Sequence, residues 1–184
     1  MGALAQRFFE MAGWSPQQAA GLVANIEHES GFRSDATGDG GMSFGLAQWN
    51  RERLANLGRF IGRDPRTATF MEQLQFIQYE LTQGAEQAAG RALAGATTAA
   101  DAGAIVSRQY ERPRMDEGFV RGRSADQWFS RAQAGRGGGG VTINQNIDIT
   151  VEGASDPART GQAVGQAVQR QNADLVRNMR GATR

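Results

Sequence analysis

Carboxylates are the side chains of this sequence best suited to acid–base chemistry. Cys is absent and His28 is the only His, so thiolate nucleophiles are excluded and a zinc site with several His ligands is not expected. A Ser-His-Asp hydrolase would depend on His28, which stands between Glu27 and Glu29 rather than near an activated Ser. By elimination, carboxylates are the remaining candidates for acid–base chemistry.

Glu29 is the strongest candidate for that role. It ends an apolar segment in the run Glu29-Ser30-Gly31-Phe32, and the run Ser43-Phe44-Gly45-Leu46-Ala47-Gln48-Trp49 begins fourteen residues later. At the end of a helix, unpaired carbonyl groups place partial negative charge near a carboxyl group and favour its protonated form. Glu27 is two positions away and points to a different helix face, so the two do not form a catalytic pair.

Helices must position this residue. Ser15 and Pro16 form a helix-start signal, and Gly31 is suited to end the same helix just after Glu29. Apolar periodicity predicts further helices over residues 4–12, 51–61, 68–83, 98–110 and 124–134, and a loop or short hairpin over residues 33–42. We therefore predict a mainly α domain over residues 1–134.

The C-terminal third has a different pattern. Residues 135–140 contain five Gly and one Arg, which predicts a flexible linker. Apolar residues then alternate from Val141 to Val151, which indicates a strand, and Ser155-Asp156-Pro157 opens a helix. A strand and a helix in residues 141–184 cannot bury their apolar faces alone. This tail is therefore predicted to associate with copies of itself or with a larger assembly.

Charge and hydropathy exclude other classes of protein. All 20 basic residues are Arg, the formal net charge is +1, and the Arg residues are scattered, so nucleic-acid binding is kept only as an alternative. No apolar run approaches the ~20 residues of a membrane span. The start, Met1-Gly2-Ala3-Leu4-Ala5-Gln6-Arg7, lacks the charged and apolar blocks of a secretory signal.

The two runs around Glu29 and Gln48 together resemble the lysozyme-like and lytic-transglycosylase superfamily, and the wider pattern is similar to the phage tail lysozyme family. That pattern is met at Gln18-Ala19-Ala20-Gly21, Asn25, Glu29-Ser30, Gly45-Leu46-Ala47-Gln48-Trp49, Arg51 and Tyr110-Glu111-Arg112-Pro113. The resemblance covers residues 5–133. It implies a lysozyme-like fold and an enzyme that cleaves the β-1,4 bond between N-acetylmuramic acid and N-acetylglucosamine, with Glu29 as general acid and no metal or organic cofactor.

Asp39 is the best candidate for a second catalytic carboxylate. It lies five residues before Phe44, the spacing at which goose-type lysozymes carry an Asp. The same resemblance puts an acid at position 50, where this chain has Asn50. Asp35 is the runner-up, and a Gly-rich turn also favours Asp for structural reasons. An inverting base should lie ~6.5–9.5 Å from Glu29; without one, the lytic-transglycosylase route is preferred, in which the sugar 6-hydroxyl attacks intramolecularly.

The resemblance also implies substrate-binding residues, namely Ser43, Phe44, Gln48 and Tyr110. Gln48 and the backbone over 43–47 fit the family's contacts to the sugar N-acetyl group, although Gln48 could instead brace its loop. The ring of Tyr110 could form the floor of a saccharide subsite. It could instead pack in the core with its hydroxyl at the rim of the cleft. Phe44 fits the core as well as the cleft.

Location and partners follow from the same resemblance. Without a secretory signal, such a chain reaches the cell wall by lysis, by holin-type release or on a virion, and the tail resembles the C-terminal ends of phage tail and tape-measure proteins. A virion-associated lysin with peptidoglycan as substrate is therefore expected. Three alternatives stay open: a chitin-type hydrolase, a structural virion protein without turnover, and nucleic-acid binding by the Arg-rich tail, which would weaken steeply with salt.

Overall fold

Seven α-helices and one short hairpin make up the part of the chain that the computed structural model describes, residues 1–137. The helices are α1 (Gly2–Met11), α2 (Pro16–Ser30), α3 (Arg51–Ile61), α4 (Phe70–Thr82), α5 (Gln87–Ala94), α6 (Ala99–Ile105) and α7 (Gly118–Gly137). The strands β1 (Thr37–Gly38) and β2 (Ser43–Phe44) pair antiparallel. The mainly α prediction is confirmed, while the predicted tail over 141–184 lies outside the described residues. None of the described helices is long and apolar enough to cross a membrane.

Local signals at both ends fix the position of α2. The Ser15 side chain accepts a hydrogen bond from the Gln18 backbone N–H at 3.2 Å, and the Gln18 side chain accepts one from the Ser15 N–H at 2.9 Å. This reciprocal capping box sits just before Pro16. At the other end Gly31 has φ 59°, the left-handed conformation that ends a helix. The predicted helix is confirmed, and Glu29 lies in its last turn.

Two glycines let α6 lie close to its neighbours. A Cβ on Gly21 in α2 would come within 2.7 Å of Ala102, and a Cβ on Gly103 in α6 would come within 2.6 Å of the Arg121 carbonyl oxygen in α7. Such separations are too short for any other residue without movement of the backbone. The close packing of α2, α6 and α7 fixes the relative positions of the side chains that these helices carry.

The hairpin is tied to the helical core by α4. Buried Gln73 donates from its amide to the Ser34 carbonyl at 2.8 Å and accepts from the Leu46 N–H at 2.9 Å. Trp49, just beyond the hairpin, is fully buried in the main core cluster. The loop or short hairpin expected over residues 33–42 is therefore present and rigidly anchored.

Three elements differ from the sequence prediction. Helix α5 was not expected, α7 begins at Gly118 rather than at 124 and continues to Gly137, and α6 gives way at Val106 to a π-helix that ends at Glu111. Glycine explains the first two differences, because Gly90 and Gly122 weaken the helical signal. A Cβ on Gly90 would collide with the Leu81 carbonyl and one on Gly122 would lie 2.8 Å from the Ala100 carbonyl, so both are used for close helix packing.

Candidate functional site

A cleft of about 410 Å³ opens between the hairpin loop and the ends of several helices. Its lining comprises Glu29, Asp39, Ala47, Gln48, Asn50, Arg53, Glu111, Arg112, Pro113 and Arg114. These residues come from the last turn of α2, the segment from the hairpin to α3, and the end of the π-helix. The structure thus brings the two predicted catalytic carboxylates, Glu29 and Asp39, to one cleft.

Glu29 is oriented by a buried arginine from the last helix. Its side chain is 18% exposed, and its Oε1 accepts a hydrogen bond from Arg121 Nη2 at 2.8 Å. Arg121 is only 4% exposed and is held on two further sides, because it donates to Glu117 and, at 3.2 Å, to the Asn25 carbonyl oxygen. A charge-assisted hydrogen bond of this kind fixes the direction of the Glu29 carboxyl group.

Glu111 is a third carboxyl group of the cleft, and no pattern in the sequence assigns it a role beyond membership of the family motif. It is partly exposed at the end of the π-helix. Its pKa is raised well above the usual value, first because burial disfavours the charged form and then because Glu29 is negative. The positive charges of Arg53 and Arg121 act in the opposite direction without cancelling this rise.

The residues that lead to Glu111 are wound as a π-helix. The Arg112 N–H donates to the Ser107 carbonyl at 2.8 Å, five residues back, and Arg112 itself has φ 54°. This wide winding is rare in proteins and is concentrated at functional sites. Tyr110 turns into the core, whereas Glu111 reaches the cleft.

Glu80 is a buried carboxylate behind the cleft. It is 2% exposed and accepts hydrogen bonds from both Arg53 Nε and Nη2 at 2.9 Å, from Trp49 Nε1 at 2.9 Å and from the Tyr110 hydroxyl at 2.6 Å. The Arg53 guanidinium also lies 4.3 Å from the centroid of the Tyr110 ring. Glu80 therefore ties the hairpin loop, α3 and the π-helix to α4.

Three of the predicted substrate-binding residues do not line the cleft. The Tyr110 ring is 1% exposed, so it offers no face to a saccharide, and its hydroxyl is held by Glu80 in the core rather than at a rim. Phe44 is buried under the guanidinium of Arg66, and the hydroxyl of buried Ser43 donates to Gln48 at 2.9 Å. In this structure the three side chains support the loop and the core, and a contact of any of them with sugar stays a prediction.

Gln48 does reach the cleft, but its amide is occupied by its own loop. Its Nε2 donates to the Ala36 carbonyl at 3.2 Å and to the Gly45 carbonyl at 2.9 Å, while its Oε1 accepts from Ser43. These contacts favour the interpretation in which Gln48 braces the loop. A contact of Gln48 with the sugar N-acetyl group stays a prediction.

Asp39 stands on the loop side of the cleft. It is exposed, has φ 48° and opens the short 3₁₀ turn that follows β1. Asn50 caps α3 by accepting from the Arg53 N–H at 3.1 Å, so the position where an acid was expected has a structural role here. Asp35 is exposed in the same loop and is not among the residues that line the cleft.

Glu27 and His28, which precede Glu29 in α2, point away from the cleft. Glu27 accepts a hydrogen bond from Trp128 Nε1 at 2.7 Å, and exposed His28 lies 2.9 Å from the Ser124 hydroxyl. Both contacts are made to α7, outside the residues that line the cleft. Glu29 is thus the acid of this helix end that faces the cleft.

Comparison with known proteins identifies the family. The family model for the phage tail lysozyme matches residues 1–131, which is most of the part that the structure describes. Among curated protein sequences, none matches the chain significantly. The match supports a phage-associated, lysozyme-like enzyme that acts on peptidoglycan. This chain belongs to the phage tail lysozyme family.

Proposed function

We propose that this protein cleaves the β-1,4 bond between N-acetylmuramic acid and N-acetylglucosamine in peptidoglycan, with Glu29 as the catalytic acid. The observation that carries the proposal is the position of Glu29, a partly exposed carboxyl group in the last turn of α2 that faces a cleft with further carboxyl groups. The family supplies the substrate class. Local cell-wall penetration by a virion-associated lysin is the biological role that fits both the cleft and the family.

In the first chemical step the Glu29 carboxyl group gives its proton to the glycosidic oxygen. The bond between that oxygen and the anomeric carbon breaks, and positive charge develops on the sugar ring. In the hydrolytic route a water attacks the anomeric carbon, and Asp39 accepts the proton that the water loses. Support for this base comes from the position of Asp39 in the same cleft as Glu29.

Lytic transglycosylation is the second candidate reaction. Here the 6-hydroxyl of the same sugar attacks the anomeric carbon and gives its proton to the carboxylate that Glu29 has become, so no second carboxylate has to activate a water. Two observations favour it: Asp39 is exposed, and position 50 holds an Asn that caps α3. The anhydro sugar that this route forms is lighter by one water than the product of hydrolysis.

The role that we propose for the tail over residues 141–184 follows from its sequence pattern. Its alternating apolar segment and its helix are too small to bury their apolar faces alone. We assign it to self-association or to contact with other tail proteins of the virion.

The test is a pair of substitutions two residues apart. Glu29→Gln keeps the size of the side chain and removes the transferable proton, so muralytic activity on a zymogram should fall by ~10²-fold or more. Glu27→Gln is the matched control, because Glu27 lies on the same helix but faces Trp128. A correctly folded Glu29→Gln protein with full activity would refute the assignment of the acid.

A substrate comparison separates the remaining alternatives. Purified peptidoglycan and chitin oligomers are incubated with the full chain, and turnover of peptidoglycan with little turnover of chitin is expected. Preference for chitin would point to the chitin-type hydrolase. Binding of peptidoglycan without any turnover would point to a structural virion protein that keeps only a wall-binding cleft.

A further inference from the structure

A second groove, of about 580 Å³, adjoins the candidate cleft. Its walls come from the hairpin loop, the first half of α3 and the 3₁₀ turn over Pro65–Thr67, and they include Met42, Asn50, Arg51, Leu54, Pro65 and Arg66. Asn50 lines both spaces, and Asp39 of the cleft lies three positions before Met42. The groove therefore borders the space in which the sugar chain is proposed to bind.

Much of the lining of this groove is apolar. Leu54, Ala55 and Pro65 contribute aliphatic surface, and Met42 lines the groove although it is 71% exposed. The flexible, polarizable side chain of Met adapts to ligands of different shape and is frequent on binding surfaces. Small apolar groups of a ligand would therefore find contacts here.

The charge of the groove is positive. Within the described part of the chain, its charged lining residues are Arg51 and Arg66, and both are exposed. No acidic side chain of the described residues forms an ion pair with either Arg. Two acids stand near them along the chain without lining the groove: Glu52, and Asp64, whose carboxylate accepts from the Arg66 backbone N–H at 2.9 Å. The groove thus favours a ligand with carboxylate or other anionic groups.

Contacts within the protein hold the guanidinium of Arg66 in place. It lies 5.0 Å from the centroid of the buried Phe44 ring, and its Nη2 donates to the Gly41 carbonyl at 3.3 Å. Among the described residues, no second acceptor binds this guanidinium, so most of its five N–H donors remain available. A planar donor fixed in this way matches the geometry of a carboxylate, which can accept two N–H groups at once.

We propose that this groove binds the stem peptide of peptidoglycan, the short peptide attached to the lactyl group of N-acetylmuramic acid. The inference rests on the proposed function, because it needs a muramic acid in the neighbouring cleft. The stem peptide brings alanine methyl groups and free carboxylates, which complement the apolar lining and the guanidinium groups of Arg51 and Arg66. The glycan strand offers no free carboxylate where its lactyl group is bonded to peptide. Arg51 and Arg66 are thus specificity-determining residues that favour peptidoglycan over chitin.

The test is a comparison of two substrates. The full chain digests soluble peptidoglycan strands that carry stem peptides, and the same strands after an amidase has removed them, and the ratio of the two kcat/KM values is measured. The wild type should prefer the peptide-bearing strands by about tenfold, and Arg51→Gln and Arg66→Gln should each lower that ratio by about threefold, as expected for exposed ion pairs. A ratio that is the same in the wild type and both variants would overturn the proposal.

Arg59→Gln is the matched control for charge. Arg59 is exposed on the same helix, α3, but lines neither the groove nor the cleft. Its substitution removes one positive charge and leaves the lining of the groove intact, so the ratio should equal that of the wild type. An equal fall of the ratio in Arg51→Gln, Arg66→Gln and Arg59→Gln would show that net charge alone attracts the substrate, and would refute a specific site.

A binding measurement on the wild type needs no variant to fold. The isotope-labelled full chain is titrated with N-acetylmuramyl-L-alanyl-D-glutamate, and the NMR signals of Met42 and Arg51 should shift. The signal of Met11, which is also highly exposed but lies on α1 outside the groove, should not. An unmoved Met42 signal would overturn the proposal, and so would an equal shift with inorganic phosphate, because the groove would then be a general anion site.

The outcomes separate the groove from the proposed function. If Glu29→Gln is inactive while Arg51→Gln and Arg66→Gln keep the wild-type ratio, only the stem-peptide site is refuted. If the muramyl peptide shifts the Met42 signal but the wild type does not cleave peptidoglycan, the groove is supported and the proposed reaction fails.

Discussion

The two sides of the cleft are built differently. The helical side, formed by the ends of α2 and the π-helix and backed by α7, presents the carboxyl groups of Glu29 and Glu111 beside the Arg121 guanidinium. On the loop side, the Gln48 amide and the amide oxygen of Asn50 are engaged in hydrogen bonds within the protein. In our proposal the acid therefore belongs to the helical side, whereas the loop side shapes the cleft and contributes Asp39 as the candidate base.

Glu29 and Glu80 show how the surroundings of a Glu separate a role in chemistry from a role in the fold. Each accepts a hydrogen bond from an Arg, at 2.8 Å and 2.9 Å respectively. Glu80 accepts further bonds from Trp49 and Tyr110 and is 2% exposed, whereas the Glu29 side chain is 18% exposed and borders the cleft. An acid with every acceptor site occupied holds the fold together, and one that faces open space is available for chemistry.

The largest expected effect on stability is that of Glu80→Ala. It removes the shared acceptor of Arg53, Trp49 and Tyr110 and leaves the buried guanidinium without its main partner. Breaking a buried ion pair costs about 3–5 kcal/mol, to be measured as the free energy of unfolding in denaturant. A loss below about 1 kcal/mol would show that Glu80 does not join the two sides of the cleft.

A smaller effect, on activity alone, is expected from Asp39→Asn. Asn tolerates the left-handed backbone of this position, where φ is 48°, so the loop should keep its shape. If Asp39 accepts the proton from water, the rate of hydrolysis should fall by ~10²-fold. Unchanged activity, with products lighter by one water, would instead leave the loop side without a catalytic group.

The smallest effect is expected at Glu72, which lies on the surface and pairs with Arg63 at 2.8 Å. This pair and the contacts of Glu72 with Thr69 lower the pKa of the carboxyl group to about 2. Its contribution to stability is therefore present above the unfolded pKa and is lost as pH falls towards about 2.

Thermal melts of Glu72→Gln test the direction in which the contribution of Glu72 to stability changes with pH. The variant should melt slightly below the wild type at pH 7, and the difference should vanish on acidification to about pH 2. The change should be far smaller than that of Glu80→Ala, because exposed ion pairs are weakened by solvent. A difference that grows on acidification would contradict the assigned direction.

Features set by local sequence were predictable. The start of α2 follows from Ser15, Pro16 and Gln18, and its end follows from Gly31, so the position of Glu29 at a helix end could be read directly. The anchoring of the hairpin, by contrast, depends on Gln73, which lies 39 residues from its partner Ser34. Periodicity carries no information on such a contact.

The surroundings of Glu29 were not predictable for the same reason. Arg121 is 92 residues away along the chain, and its approach requires the close packing that Gly103 allows. The π-helix was predicted as ordinary helix, because the apolar spacing of its residues does not reveal its wider winding. In the sequence, Glu111 was noted only as part of the motif Tyr110-Glu111-Arg112-Pro113.

Mass spectrometry of peptidoglycan digested by the protein tests the central claim most directly. If Glu29 protonates the glycosidic oxygen, the wild-type digest should contain fragments with new muramic acid ends, as reducing or anhydro sugars, and these should be missing from the Glu29→Gln digest. Glycan strands left intact by the wild type, or cleaved equally well by a folded Glu29→Gln protein, would contradict the account.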